Sequence, residues 1–555
     1  MNTSAKIPPQ INQKPEELLD TIDYTPPKKD WLDAKVEFRK GTYCYGATPQ
    51  LLEELGLPNP RQWQPYEEDW KLPENWKETI LAGMKERLTR YRSFKTFMDT
   101  CVRCGACADK CHFYLGSGDP KNMPVLRAEL MRSVYRKHFT LAGKLLGRLV
   151  GARELTEDVL KEWYYYYHQC TECRRCSLFC PFGIDTAEIT LMARELLASV
   201  GCSSKWILES ARNSYRAGSH IGIPPHAMAN IMETIKDDIE AVTGKRVEVP
   251  INKKGAEVLF ITPSADFFAM PGWYTFMGYA MLFHEIGLDW TISSFAAEGG
   301  NMGFFHSMDM AKKICGKWYT EAKRLGVKWI IGGECGHQWR LVHQYLDTLT
   351  GPADFLEEPV SPVTGTKFEN ARSAKMVHIC EFTADLIQNK KIKLDPSRND
   401  KWKLTFHDSC NVARGMGMFE EPRYIIKNTC NYFYEMPRNT IREQTLCCGS
   451  GSGLNPDENM EVRLRGGLPR ANAVKQVHKE HGVNLLTAIC AIDRAAFPTL
   501  LGYWVPGVEV SGLHELVGNA LVMEGEKERT TDLRGEPLHD AGEPLRDGEQ
   551  EVVHP

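Results

Sequence analysis

The apolar positions of this chain change their spacing partway along it, and the change divides the sequence. Between residues 76 and 215 they recur every three or four residues, as at Leu81, Met84, Leu88 and Tyr91, which predicts a domain of amphipathic helices. Residues 1–75 show no sustained period. They are rich in proline, tryptophan and charge (Pro8, Pro9, Pro26, Pro27, Trp31, Trp63, Trp70) and read as an extended arm, either lying on another surface or forming a partly disordered leader. Over 216–255, Gly222, Pro224 and Pro225 precede a charged, helix-like run that Pro250 closes, and the stretch reads as a linker. Short apolar runs follow: Glu257-Val-Leu-Phe-Ile-Thr262 predicts a buried strand, 277–286 a helix and 290–295 a second strand. This alternation predicts an α/β layer fold over 256–523. From residue 524 the chain reads Glu-Gly-Glu-Lys-Glu-Arg, then Gly-Glu-Pro-Leu twice, too poor in large apolar side chains to order itself, so a disordered tail is expected over 524–555.

The α/β region reads as duplicated. Gly326-Val-Lys-Trp-Ile-Ile-Gly-Gly-Glu-Cys335 parallels Gly482-Val-Asn-Leu-Leu-Thr-Ala-Ile-Cys490, one residue out of register, and Leu259 to Ser264 parallels Leu404 to Ser409. Ala296-Ala-Glu-Gly-Gly300 occupies the place of Leu446-Cys-Cys-Gly449, so the second copy keeps cysteines where the first has none. The expected class is therefore a multidomain α+β chain: arm, helical domain, linker, duplicated α/β domain and tail.

Composition removes several classes of function. The 68 Lys and Arg nearly balance 72 Asp and Glu (net −4), which leaves no basic field for nucleic acid, and 42% hydrophobic with 25% charged residues is globular. Apolar runs such as 273–283 are too short to span a bilayer, and no export signal is expected at the start, so a cytoplasmic location is expected. Eighteen cysteines in such a chain point to metal ligation rather than disulfides.

Eight of them form two runs, Cys101-x2-Cys104-x2-Cys107-x3-Cys111 and Cys170-x2-Cys173-x2-Cys176-x3-Cys180-Pro181. This spacing resembles the bacterial two-cluster ferredoxins, in which the fourth cysteine of each run ligates the other cluster. One cubane 4Fe-4S cluster is then expected on Cys101, Cys104, Cys107 and Cys180, and the other on Cys170, Cys173, Cys176 and Cys111. His112 stands where the pattern has proline, which removes a φ constraint but no ligand. Paired structural zinc sites are the plainer reading, but two complete four-cysteine runs overdetermine tetrahedral sites. Such clusters carry electrons and do no substrate chemistry themselves.

Four further cysteines, Cys410, Cys447, Cys448 and Cys490, lie in the intact copy. Adjacent Cys447 and Cys448 serve one site only on an irregular turn, which Gly449, Gly451 and Gly453 permit. Phe406-His407-Asp408-Ser409-Cys410 and Leu446-Cys-Cys-Gly-Ser-Gly resemble the CCG domain of heterodisulfide reductases, and the order of runs and CCG region over roughly 80–520 resembles the HdrD-like family, nearest its DsrK type. The resemblance implies a noncubane 4Fe-4S cluster on Cys410, Cys447, Cys448 and Cys490. The family pattern ends in Cys-x-x-Cys where this chain has Cys490-Ala-Ile-Asp493, and the first copy keeps only Cys335, so a second CCG site is not expected. Whether Asp493 is a ligand stays open, and Cys335 reads as a fifth ligand, a substrate thiol or an unligated buried thiol. His407, more than His337, is expected to supply hydrogen bonds or protons. Trp163-Tyr-Tyr-Tyr-Tyr167 is given no catalytic role.

The resemblance further implies the catalytic iron–sulfur subunit of a membrane-associated complex of sulfur metabolism. Its partners would be a DsrM-like cytochrome b subunit and the other DsrMKJOP subunits, and its substrate the disulfide or trisulfide of a DsrC-like small thiol protein. Other readings are a heterodisulfide reductase acting on small thiol coenzymes, an electron-transfer subunit of a flavin-linked 2-hydroxyacid-oxidising complex, and a zinc scaffold without activity.

Overall fold

The computed structural model describes residues 45–46, 72–297, 301–455 and 459–538. The chain forms two compact units, each assembled from separated stretches. The first takes Met1–Arg212, Met302–Ala311 and Leu446–Asn472; the second takes Asn213–Asn301, Lys312–Thr445 and Ala473–Pro555.

The first unit is helical, as the three-to-four spacing predicts. Helix Pro124–Phe139 is its centre, with Leu130, Met131 and Val134 buried, and Glu157–His168 and Thr186–Ala198 pack around it. Each has a local start signal: Thr156 accepts the Val159 N–H, and Asp185 accepts those of Ala187 and Glu188. The tyrosine run is core, as expected: Trp163 donates to the Leu130 carbonyl at 3.1 Å and Tyr167 to that of Arg127 at 2.9 Å. Of the expected arm, the described pair Tyr45–Gly46 (β1) runs antiparallel to Cys202–Ser203 (β2). The remainder of the arm, up to residue 71, lies outside the described residues.

The second unit holds two parallel sheets. Strands β3 (Val258–Ile261), β4 (Trp290–Thr291), β5 (Trp329–Gly332) and β6 (Met376–His378) lie in the order β4-β3-β5-β6. Strands β7 (Leu404–His407), β8 (Leu485–Ala488) and β9 (Glu509–Ser511) lie in the order β7-β8-β9. Leu404 also bridges Phe433 in parallel, the place β4 takes beside β3. Most of these strands are buried throughout, as parallel strands covered on both faces must be. Helix Gly272–Glu285 of the first set packs on Leu513–Ala520 of the second at such close range that a Cβ on Gly278 would sit 1.8 Å from the His514 carbonyl oxygen. Only glycine fits there.

Three expectations are corrected. The linker of 216–255 contains helix Pro225–Thr243, with Met228, Met232, Ile235 and Ile239 buried on one face; Pro225 starts this helix from its first turn instead of breaking the chain. The expected tail is ordered over 524–538, where Arg529, Asp532, Leu533 and Leu538 are buried, and residues 539–555 lie outside the described residues. Ion pairs do what apolar area does not: Arg534 with Glu515 at 2.6 Å, Arg398 with Glu526 at 2.6 Å and Lys401 with Asp532 at 2.7 Å. Thirdly, Leu446–Asn472 belongs to the helical unit rather than to the α/β unit. No helix among the described residues is long and apolar enough to cross a membrane.

Candidate metal and redox centre

The two cysteine runs fold as near copies of each other. Arg103 and Glu172, the residues before the second cysteine of each run, both have φ of 57°; Gly105 and Arg174, the residues after it, have φ of 80° and 62°. Left-handed backbone is costly for Arg and Glu and persists where surrounding structure enforces it. Here it turns successive thiols toward one side of a tight loop.

Cys101, Cys104 and Cys107 of the first run and Cys176 and Cys180 of the second line one small cavity of about 30 Å³ with Val125, Ile184 and Pro181. The cavity thus draws its thiols from both runs. Cys107 is pushed up to about 12 by burial and by the neighbouring Cys101 and Cys180 sulfurs. The complementary set gathers around Arg127: both terminal nitrogens of this buried guanidinium lie 3.9 Å from Cys111 Sγ, and Cys170 and Cys176 add to its electrostatic surroundings. Arg127 Nε has no protein partner among the described residues. A buried cation ringed by thiols demands compensating negative charge, so this donor set fits an anionic thiolate cluster. Cys104 is exposed, whereas Cys111, Cys170 and Cys173 are buried. One set opens to the surface and the other lies inside.

The turn Leu446–Gly449 joins this unit beside the second run. Gly449 has φ of 88°, and a Cβ there would stand 2.6 Å from the Gly467 amide, so the irregular turn needs glycine twice over. Arg194 holds run and turn together by donating to the carbonyls of Tyr167, Cys170 and Ser452, each at 2.8–2.9 Å. Cys173, Cys447 and His112 place their ligand atoms within 4.8 Å of one another. His112 donates through Nδ1 to the Gly466 carbonyl at 2.7 Å, its Nε2 lies 2.9 Å from the Thr171 hydroxyl, and that hydroxyl lies 3.1 Å from Cys447 Sγ. Burial pushes the Cys447 thiol up, but hydrogen bonds from Cys173, Cys448, Thr171 and the Gly449 amide hold it well below the usual thiol range. His112 thus bridges both runs and the turn. The sequence showed it only as a missing proline, and Thr171, Arg127 and Arg194 carried no signal beyond being polar residues inside apolar or cysteine-rich stretches.

In the second unit, Cys335, Cys410 and Cys490 sit just beyond the carboxyl ends of β5, β7 and β8, the edge where open parallel sheets bind ligands. Cys335 and Cys490 are the N-caps of helices Gly336–Gln344 and Ala491–Trp504, and Cys410 opens helix Cys410–Met416. They converge: a Cβ on Gly336 would lie 3.2 Å from Cys490 Sγ and 3.7 Å from Asn411 Cβ. Burial pushes Cys490 up to about 12, against hydrogen bonds from the backbone of Gly336, Asp493 and Ile492. Asp493 is engaged, receiving the Ser409 hydroxyl at 2.6 Å and lying 3.3 Å from His407 Nε2. This places it as a brace between β7 and the Cys490 helix. His337, one turn into the Cys335 helix, is buried. Cys447 and Cys448 belong to the other unit.

Behind these cysteines lies a buried ionic cluster. Arg494 binds Glu334 at 2.6 Å and Asp266, while Glu334 receives His514 Nδ1 at 2.6 Å and the His514 amide at 3.0 Å. Burial pushes Glu334 up, but the Arg494 charge and the His514 hydrogen bonds hold it below the usual carboxylate range.

Residues 97–184 match the family described as a 4Fe-4S dicluster domain. The chain is 50% identical over 537 residues to the Hdr-like menaquinol oxidoreductase iron-sulfur subunit 2 of Archaeoglobus fulgidus, covering 92% of this chain and 96% of that protein. It is 27% identical over 366 residues to the D component of the dihydromethanophenazine:CoB--CoM heterodisulfide reductase of Methanosarcina barkeri, covering 64% of this chain and 79% of the relative. It is 23% identical over 380 residues to the EtfAB:quinone oxidoreductase of Syntrophomonas wolfei, covering 64% and 48%.

Proposed function

Because the chain belongs to the Hdr-like menaquinol oxidoreductase iron–sulfur subunits, a DsrK-like branch of the HdrD family, we propose that it carries electrons between a membrane quinone partner and a disulfide or trisulfide couple. It is an iron–sulfur oxidoreductase subunit of the heterodisulfide reductase type, with a 4Fe-4S dicluster domain. In this reading Cys101, Cys104, Cys107 and Cys180 hold one cubane and Cys170, Cys173, Cys176 and Cys111 the other. The CCG motif (Cys410, Cys447, Cys448, Cys490) supplies ligands for a noncubane cluster. When bound, the clusters supply one-electron transfer, and cleavage of a disulfide consumes two electrons and two protons to give two thiols. The partners proposed are a DsrM-like cytochrome b subunit with the other DsrMKJOP subunits, and a DsrC-like thiol protein as substrate.

The observation that carries the reading is the placement of Cys447 against Cys173, with ligand atoms no more than 4.8 Å apart. A cysteine of the CCG turn touching a cysteine of the inner run gives electrons a direct way out of the ferredoxin part. The protein's other contributions are positional. Cys104 is open to an electron partner, Arg127 balances the charge of the inner set, and Asp493, held by the Ser409 hydroxyl, stands 3.3 Å from Nε2 of His407, three residues before Cys410.

Iron and sulfide analysis with EPR on anaerobically purified protein, before and after adding a disulfide or trisulfide form of a DsrC-like protein, tests it. About twelve irons, three clusters of four, and an oxidised-state signal that changes with substrate are expected. About eight irons, two clusters of four, without such a signal would leave only an electron wire and overturn the disulfide chemistry.

A further inference from the structure

We propose that this chain binds an anionic lipid surface directly, through an exposed leucine patch of the helical unit centred on Leu141–Leu146. Leu141 is 75% exposed, Leu145 74%, Leu146 51% and Leu149 88%, a concentration of bare leucine that folded proteins otherwise cover. Leu141 and Leu145 share one face of helix Leu141–Leu146, and after the backbone turns out of that helix at Gly147 (φ 52°), Leu149 follows on the 3-10 turn Gly147–Val150, so the bare leucines form one short patch of chain.

The segment is built rather than frayed. Thr140 caps its start by accepting the Gly143 N–H at 3.1 Å, and Gly143 packs so tightly on the Arg136 carbonyl that a Cβ would lie 1.9 Å from its oxygen. Its end is tied down by Arg136, which donates to the Gly151 carbonyl at 2.8 Å, and by the Arg153 amide, which donates to the Ser133 carbonyl at 3.0 Å. A rigid two-turn platform thus holds its leucines outward.

Charge selects the occupant. Of the cations between residues 132 and 153, Arg132 is buried and Arg136, Lys137 and Arg153 pair with Glu129, Glu154 and Glu162, so the charge beside the leucines is that of Lys144 and Arg148. Lys144 and Arg148 are both exposed and lie on the same short segment as the leucines. Leucines flanked by cations, without aromatic anchors, suit the headgroup and acyl boundary of an anionic bilayer better than a protein interface, which favours Tyr, Trp and Phe. The platform also adjoins the outer cysteine run. Glu129 receives Arg103 of that run at 2.9 Å and also receives Arg136, the residue bound to Gly151. Lipid contact would therefore hold the exposed Cys104 loop near the membrane surface, the position that the proposed electron exchange requires. Lipid binding itself does not depend on that reading.

Flotation of the full-length, iron-loaded protein with vesicles of phosphatidylcholine alone and of an equimolar phosphatidylcholine and phosphatidylglycerol mixture tests this. The protein is expected to float with the mixed vesicles at low salt, weakly with phosphatidylcholine, and progressively less as salt rises. K144A/R148A is expected to weaken binding about 30-fold, the factor that about 1 kcal/mol per surface cation gives for two cations. L145E/L149E is expected to abolish binding with iron content unchanged. Failure of the wild type to float with either vesicle, or salt-independent flotation, overturns the proposal, as does unchanged flotation of both variants. So does loss of assembly with a membrane subunit in a protein that never bound vesicles, because the patch would then be a protein contact. The iron count and substrate-dependent EPR signal are read separately, so failure here leaves the redox assignment standing.

Discussion

Replacing Arg494 by Met is expected to cost the α/β unit about 3–5 kcal/mol, the penalty for removing one partner of a buried ionic set. The structure says where that penalty falls. Glu334 keeps the His514 ring nitrogen at 2.6 Å and the amides of His514 and Leu513 at 3.0 and 3.3 Å. Asp266 keeps the Thr262 hydroxyl at 2.5 Å, its only other side-chain donor among the described residues. Most of the loss should therefore sit on Asp266, and R494M/D266N should regain more stability than R494M/E334Q. At about 2–4 °C per kcal/mol for a unit of this size, R494M corresponds to a fall of roughly 6–20 °C in Tm. The assay is urea unfolding combined with hydrogen exchange at the amides of β3 and β8, since a two-unit chain need not melt in one step. A loss below about 1 kcal/mol, or a further additive loss when D266N joins R494M, would refute the reasoning.

Cys180→Ser should remove the outer cluster, lowering iron by about four atoms, although Cys180 lies far in sequence from Cys101, Cys104 and Cys107, with which it shares a cavity. Cys111→Ser should remove the inner cluster instead, and iron counts with EPR of the two variants would show ligation confined to single runs if they were reversed. His306 is buried, neither ring nitrogen has a hydrogen-bond partner among the described residues, and burial pushes it down to about 4 from 6.5. The folded state therefore refuses a proton that the unfolded chain accepts, so this stability is complete above pH 6.5 and is lost as pH falls toward 4, up to about 3 kcal/mol. His306→Phe should flatten that slope in pH-dependent urea melts, and an unchanged slope would count against it. Gly449→Ala places a Cβ 2.6 Å from the Gly467 amide at a φ of 88°, and is expected to cost about 1–3 kcal/mol and loosen the Cys447 turn, read as faster proteolysis between 446 and 472.

The cysteine runs were legible because their ligand geometry is local. Spacings of three and four residues mark a tight loop in the sequence, and the left-handed residues Arg103 and Glu172, held by the structure around them, shape that loop alike in both runs. The helical and α/β regimes were legible for the same reason, since a period of 3.6 or a short apolar run between turns is a property of neighbouring residues. The helix-like run after Pro225 was legible, because the same fixed φ that ends one helix opens another, but reading it as a linker missed that its Met228, Met232, Ile235 and Ile239 face is buried. The tail misled as well, because ion pairs such as Arg534 with Glu515 depend on residues brought from elsewhere, and composition alone cannot count them.

Short-range spacing was enough to reveal the metal chemistry and the two structural regimes of this chain, and the CCG residues entered through their resemblance to a known family. Long-range packing was needed to join Leu446–Asn472 to the helical unit, to bring Cys447 against Cys173, to span His112 from one run to Thr171 and Gly466, and to set Glu334 and Arg494 as braces for the Cys335 and Cys490 loops. These contacts join residues far apart in the chain. Their formation depends on the whole hydrophobic core closing around them, and no local pattern of side chains encodes which distant partner that closure will bring.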